Sequence, residues 1–155
     1  MKTKILLFAI IVLFSLVTGG SIWYAKKTNP RIDCSGYAVW DIDHEVFSGD
    51  ISYQMHNSQG IITLTGILKT SDSRLYKVSR VIYFTYKKIR KHYILTSSSI
   101  VQFPSDNLKD TGERKALPAL YLASGASFSL LINKYREGWA FTTVGSPSLL
   151  CMDAN

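Results

Sequence analysis

Residues 75–86 read LYKVSRVIYFTY, residues 87–91 KKIRK, and residues 92–103 HYILTSSSIVQF. In the first stretch Tyr76, Val78, Ile82, Phe84 and Tyr86 fall on one face of an extended chain, the period-two pattern of a strand with one buried side. The basic run between the two stretches reads as a hairpin tip, because charged side chains cost least where the chain turns in water.

The same alternation spreads outward on both sides. Upstream, DISYQMHN (residues 50–57) places Ile51, Tyr53 and Met55 opposite Ser52, Gln54 and His56. NSQG then turns into IITLTGILKT, and SGYAVWDID, up to Asp43, is an earlier strand. Downstream, residues 104–118, PSDNLKDTGERKALP, break the pattern with two prolines and mixed charges, so a loop or frayed helix is expected, with a helix credible only around ALPALYLAS. ASFSLLINKY, the turn REG and WAFTTV make a last hairpin before a cysteine-bearing tail.

Seven or eight consecutive antiparallel strands with one apolar face predict a mainly β domain. A meander closed as an up-and-down, lipocalin-like barrel or a strongly curved sheet fits best, and a sandwich is the next choice. Aromatic residues make 12% of the chain. They fit either an ordinary β core or a barrel whose mouth admits an apolar ligand.

The first 27 residues are of another kind. MKTK is followed by a charge-free run from Ile5 to Ala25 and then Lys26 and Lys27. A helix over 5–25 would cover about 30 Å, the thickness of a bilayer's hydrocarbon core. Trp23 and Tyr24 stand at its end, where amphipathic rings favour headgroups. A cleaved signal peptide with its core from Ile5 to Val17 is the competing reading, but Ile22, Trp23 and Tyr24 carry the apolar run past the expected cut. The expected layout is an anchor over 1–27 and an exported, periplasmic domain over 28–155. Charge alone gives little orientation, since lysines flank both ends of the span.

The net charge of +7, less Lys2, Lys4, Lys26 and Lys27, leaves +3 on the remainder. That is too little for a nucleic-acid binder with a clustered basic face. Cys34 and Cys151 are the only cysteines, and in an oxidising compartment an even count without other partners predicts a bridge between them.

Chemistry-bearing clusters are sparse. Asp41, Asp43 and Glu45 in DIDHE would face one way on a strand and could offer oxygens to calcium, yet a solvated strand face explains them as well. His44, His56 and His92 are scattered. Lys87, Lys88, Arg90 and Lys91 could meet an anionic lipid or an acidic partner. The serines of LTSSS and ASGAS lack a G-x-S-x-G or S-x-x-K context. No enzyme activity, cofactor or metal is expected.

The apolar span, Cys34-Ser35-Gly36 soon after it, a β domain of about 120 residues, and Trp139 to Cys151 with Gly145-Ser146-Pro147-Ser148 together resemble the FidL-like family of small enterobacterial inner-membrane proteins. The tail MDAN beyond Cys151 departs from that pattern. The resemblance implies an accessory role beside a membrane-spanning winged-helix regulator of the ToxR type. Accessory proteins of such regulators carry one span and a periplasmic β domain, and some form lipocalin-like barrels that sense bile salts. A partner strand completing an open barrel edge is one expected mode of contact, and a bile-like or lipid ligand inside the barrel is the alternative function.

Overall fold

The computed structural model describes residues 10–21, 30–109, 116–143 and 146–153. Eight strands follow one another: β1 (Ile32–Ile42), β2 (Glu45–His56), β3 (Gln59–Lys69), β4 (Leu75–Ile89), β5 (His92–Gln102), β6 (Ser127–Tyr135), β7 (Gly138–Thr143) and β8 (Ser146–Asp153). Each pairs antiparallel with the next, and β8 returns to β1, closing the barrel. The expected meander is therefore a closed barrel. The sandwich is excluded, and so is the open edge that a partner strand would have completed.

Alternation explains the closure. Ile32, Cys34, Ala38 and Trp40 of β1, Ile51, Tyr53 and Met55 of β2, and Ile62, Leu64 and Leu68 of β3 are all at most 4% exposed. The side chains that alternate with them, such as Ser35, Tyr37, Val39, Gln54, Thr63 and Thr65, are exposed. A one-residue slip in any strand would exchange these faces, so burial of the apolar set holds the register.

The closed sheet bends where its inward row is smallest. Ala38 pairs with Gly49, Gly49 with Gly66, and Gly66 with Val78. A Cβ on Gly49 would lie 2.3 Å from the Thr65 carbonyl oxygen, and one on Gly66 would lie 2.4 Å from that of Ser48. Only hydrogen fits at Gly49 and Gly66, and the Phe47 ring lies over the space the missing side chains leave.

Two-residue turns join the strands at one rim, at 57–58, 90–91 and 136–137. Gln59 pairs with Thr85, and His92 with Leu131. Each hairpin is thus offset along the sheet from the one before, as tilted strands in a barrel require. The three tips, the start of β1 and the end of β8 share this rim. The opposite rim carries the β1–β2 turn, the β3–β4 turn and the long segment between β5 and β6.

Two details revise the strand boundaries expected from sequence. β1 starts at Ile32, ahead of the strand expected over SGYAVWDID, and the cysteine tail is β8 itself. The segment after β5 breaks the β pattern as expected, and among its described residues the helical part is one 3-10 turn, Ala119–Tyr121.

The chain divides into two compact units, Met1–Arg31 and Ile32–Asn155. In the first, residues 10–21 are helical. Ser15, Thr18 and Ser21 donate their hydroxyls to the carbonyls of Ile11, Phe14 and Val17, which satisfies them without water. Among the described residues no helix is long and apolar enough to cross a membrane. The expected span over 5–25 extends at both ends outside the described residues.

Candidate functional site

The interior is organised by one charge pair. Arg80 lies on β4 in phase with Val78 and Ile82, so its side chain points into the barrel, and it is fully buried. Its Nε donates to Asp106 Oδ2 at 2.8 Å and its Nη2 to Oδ1 at 3.0 Å, a two-pronged pair with both side chains at 0% exposure. Nη1 donates to the Tyr121 carbonyl at 3.0 Å, and Nη2 also reaches that of Leu108 at 3.3 Å. Asp106 in turn accepts the backbone N–H groups of Ser79 and Leu108. Four protein groups thus compensate the two buried charges and tie the β5–β6 segment to the barrel.

That segment plugs the interior from its rim. Leu108, Ala116, Leu117, Leu120 and Tyr121 are at most 2% exposed. The Tyr121 ring stacks on Trp40 at 5.9 Å, and its hydroxyl meets that of Tyr53 at 2.5 Å. Burial drives the Tyr53 hydroxyl well above its ordinary pKa, with Tyr121 adding to the rise. Burial likewise pushes Tyr121 up to about 12, against a lowering contribution from the bond to Tyr53. Both therefore stay neutral at any physiological pH.

Aromatic rings fill much of the remaining interior. Tyr53 packs on Phe141 at 4.5 Å, Trp40 on Phe47 at 5.4 Å, and Tyr86 lies between Phe84 and Tyr93.

The serines of LTSSS have structural work. β5 bulges at Ser98, whose hydroxyl donates to the Tyr83 carbonyl at 3.0 Å. Ser97 turns inward and donates to the Ala123 carbonyl at 2.6 Å, holding the end of the plug.

Asp41, Asp43 and Glu45 do not converge. Asp41 is exposed near the end of β1, and Asp43 sits in the turn at a φ of 50°. Glu45 points inward and accepts the Ala116 N–H at 3.3 Å. The β1–β2 turn intervenes and reverses the chain, which breaks the alternation the calcium reading needed. Among the described residues no group of three or more His, Cys, Asp or Glu could hold a metal. His44, His56 and His92 stand exposed at separate places.

Cys34 and Cys151 form the disulfide, with Cα atoms 5.4 Å apart. It lies at the β1–β8 seam, where Cys34 pairs with Asp153 and Ser35 with Met152. The bond covalently closes the barrel across 117 residues of sequence.

Lys87, Lys88, Arg90 and Lys91 are all exposed at the β4–β5 hairpin, the first two on β4 and the others forming its tip. Lys88 Nζ lies 5.2 Å from the centre of the Tyr93 ring. They are brought together as the sequence implied, on the rim where β1 begins.

Sequence reasoning did not single out the outer face of β1–β4. A groove of about 580 Å³ runs there, lined among others by Tyr37, Asp50, Ile67, Leu75, Lys77 and Asn107. Tyr37 and Leu75 are 64% exposed and Ile67 49%. Val39, 60% exposed, pairs with Ser48, which pairs with Ile67, so it extends the same apolar strip. The signal was present as outward-facing Tyr, Val, Ile and Leu on strands whose other face is also apolar.

Comparison with protein families matches residues 37–151 to the YqeJ C-terminal domain. The match runs from Tyr37 on β1 to Cys151 on β8 and so spans nearly the whole barrel. The chain belongs to the YqeJ C-terminal domain family. The FidL-like name receives no support from the comparison. Neither the curated proteins nor the solved structures give a match. The YqeJ C-terminal domain of this chain is thus a plugged eight-stranded barrel with an apolar outer groove and a basic rim.

Proposed function

We propose that this protein is a membrane-anchored periplasmic accessory protein whose barrel binds another membrane protein, a ToxR-like transmembrane regulator being the partner class its layout resembles. The apolar run from Ile5 to Ala25 serves as its single span, with the N-terminus in the cytoplasm. The observation that carries the reading is the outer groove. Tyr37, Val39, Ile67 and Leu75 are large apolar side chains left largely in water on one face, interleaved with Ser48, Asp50 and Lys77, and such side chains gathered about a groove mark an interaction surface. Asp50 and Lys77 at its sides supply the polar rim a specific interface needs.

The filled interior weighs against the alternative of a bile-like or lipid ligand held inside the barrel. Trp40, Tyr53, Tyr121 and Phe141 occupy the space such a ligand would take, and the β5–β6 segment is anchored over one mouth by a buried ion pair.

The direct test is co-purification. Full-length protein solubilised in mild detergent should carry a ToxR-like regulator with it, and deletion should alter that regulator's output. No association, together with unchanged output on deletion, refutes the proposal.

A further inference from the structure

The rim where β1 starts is chemically unlike the opposite one. It gathers Lys87, Lys88, Arg90 and Lys91 on the β4–β5 hairpin and Arg136 on the β6–β7 tip. β5 pairs with β6, so these two hairpins are neighbours around the rim. Its acidic groups are fewer: Asp33 at the start of β1, Glu137 beside Arg136 in the β6–β7 tip, and Asp153, which is engaged by Lys134 at 2.5 Å and by the Trp139 Nε1 hydrogen at 2.8 Å. At the opposite rim the short turns carry Asp43 and an Asp72–Arg74 ion pair at 2.9 Å, with no comparable run of cations.

Set among these cations are two large apolar side chains pointing out of the barrel wall. Ile89 lies between Lys88 and Arg90, and Tyr135 between Lys134 and Arg136, each 54% exposed. The Arg136 guanidinium lies 5.6 Å from the centre of the Tyr135 ring, and both hairpins set a half-exposed apolar body among flanking positive charges. That combination suits the boundary between headgroups and acyl chains, where apolar groups enter and cations stay with the phosphates. Strand β1 begins at this same rim.

We infer that this rim docks on an anionic lipid surface, with Ile89 and Tyr135 entering the interface and Lys87, Lys88, Arg90, Lys91 and Arg136 contacting headgroup phosphates. The inference rests on the reading of residues 5–25 as a membrane anchor. Its consequence is orientational: the bilayer fixes which way the outer groove faces a partner lying in the same membrane. Docking of this kind depends on charge, each lysine or arginine near an anionic surface contributing about fivefold in binding, and it weakens as salt shortens the screening length.

The experiment uses the full chain in nanodiscs of phosphatidylcholine alone or with about a third phosphatidylglycerol, and reads amide hydrogen exchange by mass spectrometry. Amides of residues 87–92 and 134–137 are expected to exchange at least tenfold more slowly in the anionic discs, while those of the Asp43–His44 turn do not change. The variant K87E/K88E/R90E/K91E should lose the difference, as should high salt. Equal exchange in both lipids, from a chain that does enter the discs, overturns the docking and leaves the anchor standing. Protection of the tips only when a regulator is added makes this rim a protein contact and overturns it too. A chain that stays outside the discs refutes the anchor and the docking together.

Discussion

Arg80 and Asp106 meet inside the barrel as a fully buried, two-pronged ion pair, one from the middle of a strand and the other from the segment that plugs the rim. The pair links the regular part of the fold to its irregular part. Its worth lies in what removing one member would leave behind.

Arg80→Met would strand the Asp106 carboxylate without its counter-charge and release the carbonyls of Leu108 and Tyr121. Breaking a buried pair from one side costs about 3–5 kcal/mol, a large share of a small domain's stability. Urea or thermal unfolding should show that loss. Replacing both, as in R80M/D106L, should cost less than Arg80→Met alone, because no buried charge then remains.

Tyr53→Phe removes the hydrogen bond to Tyr121 and leaves a buried hydroxyl unsatisfied, a loss of about 1–3 kcal/mol. The alkaline response has a definite sign. Both hydroxyls are harder to ionise in the folded chain than in the unfolded one. Their contribution is therefore complete below the ordinary tyrosine pKa of about 10. It falls away as pH rises toward the value of about 12 reached by Tyr121. Ultraviolet titration of tyrosine should show two slow-ionising groups, with unfolding accelerating over the same window.

Cys34→Ser with Cys151→Ser should lower stability by up to about 5 kcal/mol, the chain-entropy value for a loop this long. The pair is buried, so a reductant should act slowly on the native protein and quickly in denaturant. Intact mass with and without reductant reports the bond directly.

Gly49→Ala and Gly66→Ala place a methyl group against backbone oxygens that cannot move away cheaply. Each should destabilise by about 1–3 kcal/mol or more, read as a lower unfolding midpoint. An exposed control such as Thr65→Ala should leave the midpoint nearly unchanged.

Much of the fold was legible because one face of each strand is apolar. Ile51, Tyr53 and Met55 announced β2, and Tyr76 to Tyr86 announced β4. The boundaries were less so, because the tips Asp43-His44, Asn57-Ser58, Arg90-Lys91 and Arg136-Glu137 turn without glycine. Their positive-φ residues are aspartate, histidine, asparagine, serine and arginine, only some of which favour turns. Cys151 read as tail because Ser146–Asp153 is short and carries Pro147, which weakens a strand reading.

The interior chemistry stayed hidden for a different reason. Arg80 interrupts an otherwise apolar face, and its partner lies in a stretch with no periodicity at all. An arginine in phase with Val78 and Ile82 was the available signal, and it pointed to a buried counter-charge somewhere. Glu45 misled in the opposite direction, since a two-residue turn between it and Asp41 flips the face it occupies. The outer groove needs the register of four strands before Tyr37, Ile67 and Leu75 can be seen together.

That groove is the surface proposed for a membrane partner. A photo-crosslinking residue placed at Ile67 in the full-length protein, in its native membrane, tests it most directly. The predicted result is a covalent adduct with a ToxR-like regulator, lost when Leu75 is changed to glutamate and absent from a probe at Asn133, exposed on β6 away from the groove. Illumination that yields no adduct at Ile67, while the barrel remains folded and disulfide-closed, would contradict it.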